Sequence, residues 1–135
     1  MVGVLTSRVY DVCTETPLTA APRLSKWGGC QVLIKREDLN AIHSFKLRGC
    51  YNKCVSLSPE QLNKGITCFS AGNHAQAVAF CANKLKCKAK IFMPAAAAQI
   101  KVDAVKYFGK NNVEVVLTGM ILLCFFKSMK NEDSF

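Results

Sequence analysis

The sequence predicts an α/β fold: a parallel sheet with flanking helices. Three observations carry this. Short β-rich runs alternate with stretches whose apolar residues recur at helical spacing. The segments between successive runs are long enough for the crossovers that parallel strands require. Helices start and stop where capping residues, proline and glycine stand.

The first predicted strand is Val32 to Lys35, and Arg36 to Asn40 leaves it as a polar loop. Ser44 is placed to cap a helix from Phe45 to about Leu57. There Leu47, Cys50, Tyr51, Cys54 and Val55 follow a spacing of three and four. Ser58-Pro59-Glu60-Gln61 reads as a capping box with proline at the first helical position, and Gly65 ends that short helix. Ile66 to Phe69 is the next strand, Ser70 to Asn73 a turn, and His74 to Leu85 a helix with Ala75, Val78, Ala79 and Ala82 on one face. Ala89 to Met93 is a strand stopped by Pro94. Ile100 to Phe108 is a helix ended at Gly109, and Val113 to Leu117 is the last strand. From Met120 to Phe126 the chain is continuously apolar, and from Lys127 onward it is polar.

Composition bounds the function. With 50% apolar and 20% charged residues, the chain reads as globular and not disordered. The net charge is +9, and Lys84 to Lys110 holds seven lysines against the single acid Asp103. These read as the solvated side of two strand-helix units. Neither the interleaved aromatics nor the signature of an RNA-binding module accompanies them, so no nucleic-acid partner is expected. The basic balance is equally suited to an anionic cofactor or substrate. The longest apolar run has seven residues, Met120 to Phe126, whereas a membrane-spanning helix needs about 20, so no membrane partner is expected. The eight cysteines include no Cys-x-x-Cys, and the two histidines form no ligand pair with them. No metal site is therefore expected. Cys68, Cys81 and Cys87 lie in apolar patterns and read as small buried hydrophobes of a reducing intracellular compartment.

Two short segments carry the chemistry. Lys46 in Ser44-Phe45-Lys46-Leu47-Arg48-Gly49 lies within the first turn of a predicted helix. The positive end of the helix dipole disfavours an ammonium there, and a neutral amine is the nucleophile that forms an imine with an aldehyde. Taken alone, the position also suits an ordinary solvated lysine. In Ser70-Ala71-Gly72-Asn73-His74-Ala75-Gln76 a strand ends, the chain turns and a helix begins. That arrangement presents backbone N–H groups to an anion such as a carboxylate or phosphate. A plain turn capped by Asn73 fits the same spacing.

These segments resemble threonine deaminase (threonine ammonia-lyase or dehydratase), one of the fold-type II pyridoxal-phosphate enzymes with a tryptophan synthase beta-like fold. Val9 to Val12, Thr16-Pro17-Leu18, Lys35 to Leu39, Ser44 to Gly49 and Ser70 to Gln76 carry the resemblance. Ile100-Lys101-Val102 and Val115 to Gly119 extend it. The resemblance implies that Lys46 holds pyridoxal 5′-phosphate covalently and later acts as the base at the substrate α-carbon. Phe45 would pack near the cofactor, and Asn73 would hydrogen-bond its ring hydroxyl. Ser70, Ala71, Gly72, Asn73 and His74 would surround the substrate carboxylate. The implied reaction converts L-threonine, with L-serine as a second candidate substrate, to 2-oxobutanoate and ammonia, the first step of isoleucine synthesis. Similar serine racemases carry a proton-exchanging serine where Ala71 stands, so racemisation is the weaker match. Full-length family members are implied to be homo-oligomers.

Departures from the family pattern are small within this region. Ala77 stands where glycine is usual, Cys50 where alanine is usual, and Ala97 and Ala98 where Thr-Pro is common. The larger departure is extent. Residues 1–119 are expected to form the N-terminal part of the catalytic domain, and 120–135 a divergent tail without family resemblance. The glycine-rich phosphate loop and the residue facing the pyridine nitrogen are not legible. The expectation is a chain with little activity alone, or a non-catalytic fragment that associates with full-length subunits.

Overall fold

A computed structural model describes residues 2–119, and the expected divergent tail at 120–135 lies outside the described residues. Its architecture is α/β. A parallel sheet is formed by β3 (Ile66–Phe69), β4 (Ala89–Pro94) and β5 (Val113–Thr118), in sequential order. Ile66 pairs with Ala89, and Ala89 with Val113. The crossovers are α5 (Asn73–Leu85) and α6 (Gln99–Gly109). Parallel crossovers share one handedness, which puts consecutive helices on one face of the sheet; α5 and α6 accordingly pack against each other. Along β4, Ala89, Ile91 and Met93 are buried while Lys90 is exposed, the alternation of a strand covered on one side.

Four predicted helices are present. They are α3 (Lys46–Val55), α4 (Pro59–Lys64), α5 and α6. The Ser58 capping box forms in both directions: the Gln61 N–H donates to Ser58 Oγ, and the Ser58 N–H donates to Gln61 Oε1. Gly109 ends α6 for a packing reason. A Cβ built there would lie 2.2 Å from Val113 Cγ2, so only glycine lets the chain fold back into β5.

One strand departs from the expectation. The predicted run at Val32 to Lys35 forms β2 (Leu33–Lys35) outside the parallel sheet, pairing antiparallel with β1 (Leu18–Ala20). Between them lies α2 (Pro22–Gly28), closed by Gly29 at φ 63°. Both strands are three residues long and exposed throughout, so neither carries the buried face that would seat it in the central sheet. The Lys35 ammonium donates to the Thr16 carbonyl and ties the hairpin to the preceding segment.

The core lies between α3, α5, α6 and the sheet. Ile42, Leu47, Ile91, Met93 and Val105 are fully enclosed. Ala75, Ala77, Ala79 and Ala82 give α5 a surface of small residues that two neighbouring helices approach. Ala77 is completely buried, so the extra methyl relative to glycine is accommodated.

Candidate functional site

In parallel sheets, ligands bind beyond the carboxyl ends of the strands. The loop from Ser70 to Gly72 leaves β3 at that end, and the segment before α6 leaves β4 there. The Ser70 N–H still donates to the Phe92 carbonyl, so the sheet ladder runs up to the loop.

Lys46 is the first residue of α3. The chain enters this helix under tight control. His43 takes the left-handed conformation at φ 54°, with its Nδ1 3.0 Å from the Asp38 carbonyl. Ser44 is buried, and its Oγ accepts from the Lys46 N–H at 3.3 Å, although the residue at the cap position itself is Phe45. Behind the first turn, Glu37 clamps the helix. Its carboxylate accepts from Arg48 Nε at 2.7 Å and Nη2 at 2.9 Å, from Thr16 Oγ1 at 2.6 Å and from Asn40 Nδ2 at 2.8 Å. Arg48 also donates to the Thr14 carbonyl and lies over the Tyr10 ring. The Arg48 hydrogen bonds, helped by Thr16, hold the Glu37 carboxyl at about 2, and Glu37 in turn raises the Arg48 guanidinium. Asp38, by contrast, pairs with Arg36 on the open surface, where such a pair adds little.

Phe45 and Lys46 are exposed and line an open cleft of about 370 Å³ with Gly49, Cys50 and His74, within the range of ligand-sized pockets. Gly49 and Cys50 follow Lys46 at three and four residues, so the same helix face supplies the cleft wall. This was available from helical spacing alone. A second groove of about 620 Å³ lies between the N-terminal segment and the other side of α3, lined by Tyr10, Arg48 and Asn52 among others. It contains none of the predicted site residues.

The remaining predicted residues, Ser70, Ala71, Gly72 and Asn73, form the loop and first residue leading into His74. Gly72 occupies the cap position of α5, and among the described residues no side chain caps the helix. Among the described residues, the first-turn N–H groups of Asn73, His74 and Ala75 therefore lack the partners a helix cannot itself supply. Asn73 is not the cap; it is already helical. Ser70 Oγ instead accepts from the Gly72 N–H at 3.2 Å and braces the loop. The Lys101 ammonium, from the first turn of α6, reaches Asn73 Oδ1 at 3.4 Å and brings a cation to this end of α5. Sequence reasoning assigned Lys101 no role, because nothing in the spacing places α6 beside Asn73.

The arrangement unites a lysine amine, an aromatic wall and a histidine around one cleft, next to an uncapped helix N-terminus. It can hold a carbonyl compound at Lys46 and an anion at α5. Comparison with known proteins bears on the family. The family model for pyridoxal-phosphate-dependent enzymes matches residues 9–128. The biosynthetic L-threonine dehydratase of Staphylococcus aureus is 55% identical over 112 residues, 83% of this chain and 26% of the relative. The processed form of threonine deaminase isoform 2 from Solanum lycopersicum superposes with a TM-score of 0.80 at 50% identity, covering 89% of this chain and 32% of that one. Maize serine racemase superposes with a TM-score of 0.82 at 28% identity, covering 93% and 38%. The chain thus spans about a quarter of the length of the curated relatives it matches.

Proposed function

This chain belongs to the pyridoxal-phosphate-dependent enzyme family, and from that premise we propose that it provides the lysine and carboxylate stations of a lyase deaminating L-threonine to 2-oxobutanoate and ammonia. The observation that carries the proposal is the shared cleft of Lys46 and His74, with Phe45 as its aromatic wall. L-serine is a second substrate on this reading, and the reaction serves as the first step of isoleucine synthesis. The 55% identity to a biosynthetic threonine dehydratase supports the choice of substrate.

The residues present fit the cofactor. Lys46 lines a cleft of about 370 Å³, and Phe45, 63% exposed, stands beside it. When bound, pyridoxal phosphate supplies the electron sink that stabilises negative charge at the substrate α-carbon. Lys46 Nζ would hold the group covalently, and once released would take the α-proton and deliver it toward the departing β-hydroxyl. The Asn73 amide would donate to the ring hydroxyl, with its Oδ1 turned toward Lys101. The N–H groups at the start of α5 would bind the substrate carboxylate, with His74 and the Ser70 hydroxyl as added donors. Phe45 would exclude water from one side of the cleft.

A second reading, racemisation, is favoured by the close superposition on maize serine racemase. Ala71 weighs against it, because a methyl group cannot exchange a proton on the face opposite Lys46. The test is spectroscopic. The purified chain with pyridoxal phosphate is titrated with L-threonine, L-serine and D-serine. The cofactor absorption should shift with L-threonine and L-serine, and the Lys46→Ala variant should lose the protein-bound spectrum. A response confined to the two serine enantiomers would favour the racemase reading.

A further inference from the structure

Cys50 and Cys54 stand one turn apart on the buried face of α3, and Cys81 faces them from α5. Their three Sγ atoms lie within 4.8 Å of one another. We propose that Cys50, Cys54 and Cys81 form a binding site for a soft divalent metal ion of the zinc class. The lack of any Cys-x-x-Cys does not argue against it. A helix brings residues four apart together, and α5 supplies the third sulfur across the interface.

Geometry supports the assignment. Sulfurs bound to one zinc at about 2.3 Å stand roughly 3.8 Å apart. The present separations close to that value with side-chain rotations displacing each sulfur by less than about 1 Å. Ligand chemistry points the same way, since thiolates select soft ions over magnesium or calcium. Charge selects a divalent ion over a monovalent one. Three thiolates leave one negative charge around a dication and two around a monocation, and each uncompensated buried charge is costly. Binding a metal releases the thiol protons of its ligands. Three protein ligands leave a fourth position open. Cys50 also lines the Lys46 cleft, the side from which a solvent ligand would approach. The site stands independently of the cofactor reading.

The test uses the whole reduced chain titrated with Cd(II), followed by its sulfur-to-metal charge-transfer absorption, with Zn(II) as competitor. The expected result is saturation at one ion per chain and displacement by Zn(II). Cys50→Ser, Cys54→Ser and Cys81→Ser should each weaken binding by more than the roughly 10–100-fold that loss of an outer-shell partner costs. Cys30→Ser and Cys68→Ser should leave it unchanged. In the unsubstituted chain, Cd(II) should slow alkylation of the three clustered thiols and spare exposed Cys30, a measurement that needs no variant to fold. Absence of saturation at one ion, unchanged alkylation of the three thiols, or equal sensitivity to Cys30→Ser would overturn the proposal.

Discussion

Replacing Glu37 with glutamine removes the charge that ties the entry of α3 to the N-terminal segment while keeping the side-chain volume. The carboxylate accepts four hydrogen bonds, two of them from Arg48. With its side chain only 17% exposed, solvent screens these little. Each pH unit of displacement is worth about 1.4 kcal/mol, so the drop from the ordinary 4.5 to about 2 corresponds to about 3 kcal/mol at neutral pH. The Arg48 displacement reports the same interaction and is not added. The sign follows from the depressed value in the folded chain. The stabilisation is complete above 4.5 and is lost as the pH falls from there through about 2. Urea unfolding monitored by circular dichroism, run between neutral and strongly acidic pH, measures it. The parent chain should exceed Glu37→Gln by about 3 kcal/mol at pH 7, with the gap shrinking below about pH 4.5. Arg48→Met should show the same pH dependence, and the double variant should cost much less than the sum. A neutral-pH gap of under about 1 kcal/mol, the value of an exposed pair, or a gap that stays constant into acid, would show that Glu37 does not clamp α3.

Two further outcomes test the backbone argument. Gly109→Ala forces a methyl onto Val113, 2.2 Å from its Cγ2, and should destabilise by about 1–3 kcal/mol in the same assay. Lys86 closes α5 in the left-handed conformation at φ 58°. Lys86→Gly relieves the Cβ crowding and should stabilise by about 1 kcal/mol.

Helices α3 to α6 were legible because their signals are local. The Ser58 box and the apolar faces of α3 and α5 need only a few residues of context, and so does Gly109. The three parallel strands were legible as β-rich runs between helices. The pairing of β2 with β1 was not, because Leu18 to Ala20 has neither β-branched periodicity nor burial, and its partner lies beyond α2. In the site, Lys46 and the Ser70 to Gln76 loop could be found by motif and cap chemistry. Lys101 beside Asn73, and Cys81 beside Cys50 and Cys54, depend on how α6 and α5 pack. No spacing within one segment carries that information.

The central claim is that Lys46 is the residue that carries the cofactor. The chain is incubated with limiting pyridoxal phosphate, reduced with borohydride to fix any lysine-bound cofactor, and digested for peptide mass mapping. With fourteen lysines in the chain, one dominant labelled site is expected at Lys46, abolished by Lys46→Ala and diminished by Phe45→Ala. Labelling spread among the surface lysines from Lys84 to Lys110, with Lys46 no more modified than they are, would contradict it.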